Sequence, residues 1–246
     1  MDKELNLSGI IEAGMVPTNF PVLTGRTDFD FFGRLIPAKI VGGDLFDIFL
    51  LNDNQLFIAI SDTLGKGISA ALYSVMTRSF IRSIADPTTR PGKMMEALND
   101  FMGLDRESDM FATVLLGKLD LETGEFVYCN AGHPHPIILR NDSREEILSQ
   151  SHGIPVGVKR GVQFGESSVT LVPGESLIAY TDGVTEQCDE EREFFGTDRL
   201  ITAIKPLREL PAQDIVNKTL DFLDGFRGKA DVHDDIALAV LKFLGK

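Results

Sequence analysis

The stretch Ile60-Ser61-Asp62-Thr63-Leu64-Gly65-Lys66-Gly67-Ile68-Ser69-Ala70-Ala71-Leu72-Tyr73-Ser74 joins an apolar strand to a helix through a tight glycine turn. Before it, Leu56, Phe57, Ile58 and Ile60 form a short apolar run suited to a buried strand. After it, Ile68, Ala71, Leu72, Val75 and Met76 fall on one face at helical spacing, which predicts a helix that packs on that face and stops before Pro87. Asp62 is thereby held at a strand end with little freedom. A turn residue or helix cap accounts for it equally well on this stretch alone, because Asp and Gly are common turn residues. The Gly-Lys pair does not make a phosphate-cradling loop, since that pattern requires Ser or Thr directly after the lysine and Gly67 stands there instead.

Outward from this stretch, strand-like segments run over Asp28 to Pro37 and Leu45 to Leu51, with the Asn52-Asp53-Asn54 turn making Leu45 to Asp62 a hairpin. Asp44 and Asp62 then share one end of two antiparallel neighbours. Helices are expected over Ile68 to Ala85 and Lys93 to Leu104, followed by a hairpin from Phe111 to Cys129 around Glu122-Thr123-Gly124. Asn130-Ala131-Gly132-His133-Pro134-His135-Pro136 reads as a stiff corner rather than a metal site, since no Cys or further His completes a ligand set. A strand over Ile137 to Arg140 and a charged surface stretch over Asn141 to Ser149 come next. Val169 to Val172 and Ser176 to Tyr180 are expected to pair around Pro173-Gly174-Glu175.

Leu177-Ile178-Ala179-Tyr180-Thr181-Asp182-Gly183 repeats the opening design, an apolar strand ending in an acid and a glycine. The segment after it, through Asp189-Glu190-Glu191, is expected to be a mobile loop whose return Phe194 and Phe195 anchor. Helices over Gly196 to Ile204 and Pro211 to Phe226 precede Asp231-Val232-His233-Asp234-Asp235 and a last strand over Ile236 to Phe243. Without repeats, low-complexity tracts or a linker, residues 28–246 read as one domain behind a lead-in over residues 1–27.

Bulk properties bound the function. A formal net charge of −13 disfavours nucleic acid and anionic membrane, leaving a metal ion, a protein or a small molecule as partner. Cys129 and Cys188 are far apart with no paired-cysteine motif, so a reducing, cytoplasmic setting without a disulfide or zinc site is expected. The N-terminus carries acids and no long apolar run, which predicts neither signal peptide nor membrane span.

Aspartates stand at strand boundaries in four separate places: Asp44, Asp62, Asp182 and the Asp234-Asp235 pair. Gathered at one sheet edge they would repel severely unless cations neutralise them. Oxygen donors without dedicated Cys or His favour manganese or magnesium. Two such ions, ~3.5–4 Å apart in binuclear sites, can activate a water and hold a phosphoryl group for in-line attack. Hydrolysis of a phosphate ester is the expected reaction.

In these motifs the chain resembles the metal-dependent protein phosphatase family of the 2C type, in its bacterial SpoIIE-like branch of sigma-factor regulators. The motifs in order are Val41-Gly42-Gly43-Asp44, Asp62-Thr63-Leu64-Gly65-Lys66-Gly67, Phe111-Ala112-Thr113, Asn130-Ala131-Gly132-His133-Pro134, Tyr180-Thr181-Asp182-Gly183 and Asp234-Asp235-Ile236. The resemblance implies an α+β fold, a central antiparallel β-sandwich flanked by helical layers, with two manganese or magnesium ions at one end. It implies that Asp62 bridges both ions, the Thr63 carbonyl binds one, Asp182 and Asp234 hold the other, and Asp44 acts through metal-bound water. Asp235 and Gly183 support the site, and Lys39 or Arg34 stands where relatives hold phosphate. The implied substrate is a phosphorylated regulatory protein, an anti-sigma-factor antagonist of the STAS fold, and Val16-Pro17 resembles the end of a lead-in that follows a sensor or dimerising segment. The other class of function is a regulatory module of the same fold, weakly active or inactive, that acts by protein contact.

Overall fold

The computed structural model describes residues 25–103 and 109–245. Its strands are β1 (Phe29–Ile36), β2 (Leu45–Asn52), β3 (Gln55–Thr63), β4 (Ala112–Asp120), β5 (Glu125–Ala131), β6 (Ile137–Leu139), β7 (Glu145–Ile147), β8 (Ser167–Thr170), β9 (Ser176–Tyr180) and β10 (Ile236–Phe243). Its α-helices are α1 (Ile68–Ile84), α2 (Pro91–Met102), α3 (Asp182–Thr185), α4 (Gly196–Ile204) and α5 (Ala212–Arg227). The strands form two sheets of order β1-β10-β9-β6-β7 and β2-β3-β4-β5-β8, every pairing antiparallel.

Alternation along the strands makes the sandwich. Ile58 and Ile60 of β3 and Leu115 of β4 face Leu177, Ala179 and Leu241 of the opposite sheet in one buried layer. The residues between them turn outward: Phe57, Ala59, Val114 and Leu116 meet Met94, Met95 and Leu98 of α2 and Ile81 of α1. On the other side Ile178, Leu238 and Val240 meet Leu200 of α4 and Ile215, Val216 and Leu220 of α5. Strands apolar on both faces, such as the wholly buried β10, therefore belong between a helical layer and the opposite sheet. The α+β sandwich flanked by helices is the expected fold.

Several expectations give way. β8 and β9 do not pair: β8 lies on β5 and β9 on β10 and β6, in opposite sheets. The alternating exposure of Ser167–Thr170 suits an edge strand, whereas Ser176–Tyr180 is buried throughout. Glu175 fixes the corner between them, its buried carboxylate accepting from Arg140 Nη1 at 2.6 Å and from the Val172 amide at 3.1 Å. The stretch Asn141 to Ser149, read as surface, contains β7, which pairs with β6.

The buried face of α1 also differs. Ala70, Ala71, Tyr73, Ser74, Thr77 and Ile81 are buried, while Ile68, Leu72 and Met76 are 50%, 62% and 49% exposed. Small and hydroxylated residues let the helix sit close on the sheet, and Asp47 orients it. That fully buried acid, which merely interrupted an apolar run in the sequence, is paired with Arg78 at 3.0 Å and Arg82 at 2.5 Å. Arg82 in turn lies over the Phe49 ring, 4.4 Å from its centroid. Of the expected lead-in, residues 1–24 lie outside the described residues, as does Leu104 at the expected end of α2.

Candidate active site

Four strand ends bring the acids together. Asp44 immediately precedes β2 and Asp62 is next to last in β3, and the Leu45↔Ser61 register sets the two acids opposite one another. In the other sheet, β9 and β10 are antiparallel neighbours, so Asp182 at the exit of β9 and Asp234 before β10 share an end. The two pairs meet across the sandwich. The Thr181 hydroxyl donates to Asp44 Oδ2 at 2.6 Å and accepts from the Ala237 amide at 2.8 Å.

The buried acid Asp235 works differently from its neighbour. Its carboxylate accepts from the Ala38 and Gly43 amides, both at 2.7 Å, pinning the loop that delivers Asp44. Close backbone approaches complete this corner. A Cβ on Gly183 would stand 1.9 Å from the Asp235 carbonyl oxygen, so only glycine fits there. A Cβ on Gly43 would stand 3.0 Å from the Thr63 carbonyl oxygen, the main-chain atom next to Asp62.

Crowding marks the cluster electrostatically. Burial, and then the nearby charge of Asp182, pushes Asp62 up to about 7. Burial and Asp62 hold Asp44 well above the ordinary carboxylate range, against the opposing effect of the Thr181 hydroxyl. Asp182 is raised by burial, Glu186 and Asp234, and Asp235 by burial despite the two amides it accepts. Burial and mutual repulsion outweigh the one nearby ammonium, Lys66, whose charge opposes the rise at Asp182 and Asp235. Such a set of hard oxygens suits a divalent cation in chemistry, although among the described residues no three acid, histidine or cysteine side chains already converge as a finished ion cage.

The residues expected to hold phosphate, Arg34 and Lys39, are exposed and form none of the ion pairs among the described residues. The cation that does reach the acids is Lys66, set aside in the sequence, whose Nζ lies 3.0 Å from Asp234 Oδ2. Sequence reasoning also missed Gln187. Buried, it donates to the Asp231 carbonyl at 3.1 Å and accepts from the His233 amide at 3.2 Å, bracing the segment that carries Asp234. The segment after Asp182, expected as a mobile loop, is accordingly tied down as α3, Gln187 and a Cys188–Phe194 bridge. The Phe195 side chain is buried and anchors the return, whereas Phe194, 53% exposed, holds it through its backbone. His133 serves the corner: its amide donates to Asn130 Oδ1 at 2.8 Å, its Nδ1 lies 2.9 Å from the Thr113 hydroxyl, and burial pushes it down to about 3.

Comparison with known proteins identifies the family and the shared fold. Residues 52–244 match the family described as Stage II sporulation protein E (SpoIIE). The chain is 33% identical over 229 residues to Protein IcfG of Synechocystis, covering 82% of this chain and 35% of that protein. It is 27% identical over 239 residues to the phosphoserine phosphatase RsbU of Bacillus subtilis, covering 97% of this chain and 70% of that one. The chain thus spans about a third of one of these relatives and about two thirds of the other. Among solved structures, the SiaA-PP2C domain of Pseudomonas aeruginosa superposes with a TM-score of 0.85 at 18% identity, covering 98% of this chain and 96% of that one. RsbX in complex with magnesium superposes with a TM-score of 0.67 at 18% identity, covering 89% and 95%. These structures share the fold.

Proposed function

The chain belongs to the SpoIIE family, and from that premise we propose that it is a metal-dependent protein serine/threonine phosphatase acting on a phosphorylated regulatory protein. One observation carries the reading. Carboxylates from both sheets are driven to one end of the sandwich, where burial and mutual repulsion raise Asp44, Asp62 and Asp182 together. A protein that never bound cations would gain nothing from so costly an arrangement.

In this reading Asp62, the Thr63 carbonyl, Asp182 and Asp234 would hold the ions. Manganese or magnesium, when bound, supplies Lewis acidity at the phosphoryl oxygens and an activated water. Asp44, its carboxylate fixed by Thr181, would orient the attacking water. Asp235 and Gly183 keep the Asp44 loop and the α3 turn in register. Arg34 and Lys39, on and just beyond β1, are the basic residues offered to a phosphoprotein from the exposed surface.

The name of the RsbU relative supports phosphoserine as the group attacked. The substrate we favour is an anti-sigma-factor antagonist of the STAS fold, met in the cytoplasm, with a sensor or dimerising segment upstream. Among the described residues no helix is long and apolar enough to cross a membrane. The test is manganese-dependent release of phosphate from an aryl phosphate: Asp62→Asn and Asp182→Asn should abolish it, and undiminished activity in either would overturn the assignment. Activity absent from the wild-type protein, with partner binding retained, would favour the non-catalytic module.

A further inference from the structure

Lys66 is the lysine that failed to make a phosphate-cradling loop, yet it reaches the acid cluster at Asp234. Its ammonium lies 3.0 Å from Asp234 Oδ2 and also donates to the His233 carbonyl. Among the ion pairs of the described residues, this is the one that involves Asp44, Asp62, Asp182, Asp234 or Asp235. The lysine comes from the opposite sheet's loop: it follows β3, whereas Asp234 precedes β10.

The local backbone explains how that reach is achieved. Gly65 and Gly67 flank Lys66 with φ of +90° and +88°, angles that favour glycine. A Cβ at either glycine would meet nothing within 4 Å, so their conformation, and not crowding, is what demands glycine. The turn is anchored on each side, by the Leu64 amide to the Phe111 carbonyl at 2.9 Å and the Ala71 amide to the Gly67 carbonyl at 3.0 Å. The Lys66 and Asp234 side chains keep 28% and 35% of their exposure. An ion pair so placed is open to exchange with solvent cations.

We propose that Lys66 is a resident counter-ion, holding Asp234 in the metal-free protein and giving up that carboxylate when a divalent cation enters. The inference rests on the divalent-cation reading of the site and adds a competitor to it. The Asp234 oxygen that holds the ammonium at 3.0 Å cannot serve a divalent cation at the same time. A monovalent charge on a flexible stem stabilises the empty cluster but yields to a dication, whose attraction to several carboxylates at once is larger. Lys66 therefore sets the threshold concentration at which the Asp234 side of the site fills.

The test is calorimetric titration of Mn2+ into the wild-type protein, Lys66→Met and Lys66→Arg, with the melting temperature of each recorded without metal. Lys66→Met should bind Mn2+ about tenfold more tightly at one site, because a positive charge beside the ion is gone, and should melt lower when metal-free. Lys66→Arg should stay near wild type in both. A merely structural lysine would lower stability and leave affinity equal or weaker, and that result overturns the proposal. If Lys66→Met folds poorly, 15N NMR of the wild-type Lys66 ammonium supplies the answer: its signal should shift as Mg2+ saturates the protein, and an unchanged signal counts against displacement. Absence of Mn2+ uptake by wild type at millimolar concentration defeats the cation reading and this inference with it. Uptake by wild type without tighter binding in Lys66→Met defeats this inference alone.

Discussion

Thr181 and Asp44 join the two sheets at the acid end: a buried hydroxyl that follows β9 donates at 2.6 Å to a buried carboxylate that precedes β2. The same hydroxyl accepts from the Ala237 amide, so removing it strands a donor and an acceptor at once. Thr181→Ala should cost about 1–3 kcal/mol in denaturant unfolding of the metal-free protein, and Thr181→Ser should recover most of it. Equal stability of all three would remove Thr181 from the account.

Gly183 and Gly43 set graded limits. At Gly183 a methyl group meets the Asp235 carbonyl, which cannot withdraw without shifting β10, whereas at Gly43 it meets the Thr63 carbonyl and the Ala70 methyl at 3.0 Å, a tight contact that a shift of a few tenths of an ångström relieves. Gly183→Ala is expected to destabilise by more than about 3 kcal/mol, as overpacking against backbone does at its upper range. Gly43→Ala is expected to fold, and to show weakened Mn2+ binding through displacement of the carbonyl next to Asp62. Thermal melts and calorimetry on the two variants check the order.

The metal-free protein should lose stability as pH rises. Folding lifts Asp62 from its ordinary 3.8 to about 7. On raising the pH the unfolded chain releases this proton first, so the contribution is whole below about 3.8 and is gone above about 7. His133, pushed down by burial, has the opposite sign, its contribution being lost as pH falls below its ordinary 6.5. Comparing wild type with Asp62→Asn cancels the histidine. The variant should gain stability relative to wild type between about pH 4 and 7, read from urea midpoints in the presence of chelator, and a constant difference would contradict the crowding of Asp62.

The orientation of α1 predicts a contrast. Leu72, 62% exposed, should accept Ser within about 0.5 kcal/mol, while Leu98, fully buried in α2, should lose about 2–5 kcal/mol on truncation to Ala. Asp47→Ala should fall between them, because the two arginines it leaves are partly in solvent.

The periodicities that built the fold were plain where one rule governed. Runs such as Leu56 to Ile60 and Ile236 to Phe243 are apolar on both faces, and a strand between two packed layers needs that pattern. The acids at their ends were legible as a set for the same reason, since an aspartate at the edge of an apolar strand has no packing role. What stayed hidden depended on contacts distant in sequence. Nothing local to Ile68, Leu72 and Met76 says that small residues and the Asp47 pair turn the other face of α1 to the sheet. Nothing local to Pro173-Gly174-Glu175 says that Glu175 is held by Arg140 at a corner between sheets. Lys66, Gln187 and Thr181 act on partners 168, 44 and 137 positions away, and only the closed sandwich brings those partners within reach.

The most direct measurement is phosphate release from a phosphoserine-bearing regulatory protein across a manganese series, for wild type and Asp182→Asn. Turnover should rise with manganese in wild type, vanish with chelator and be lost in the variant. Turnover that persists in chelator, or that survives Asp182→Asn at the wild-type rate, would contradict the metal-dependent reading.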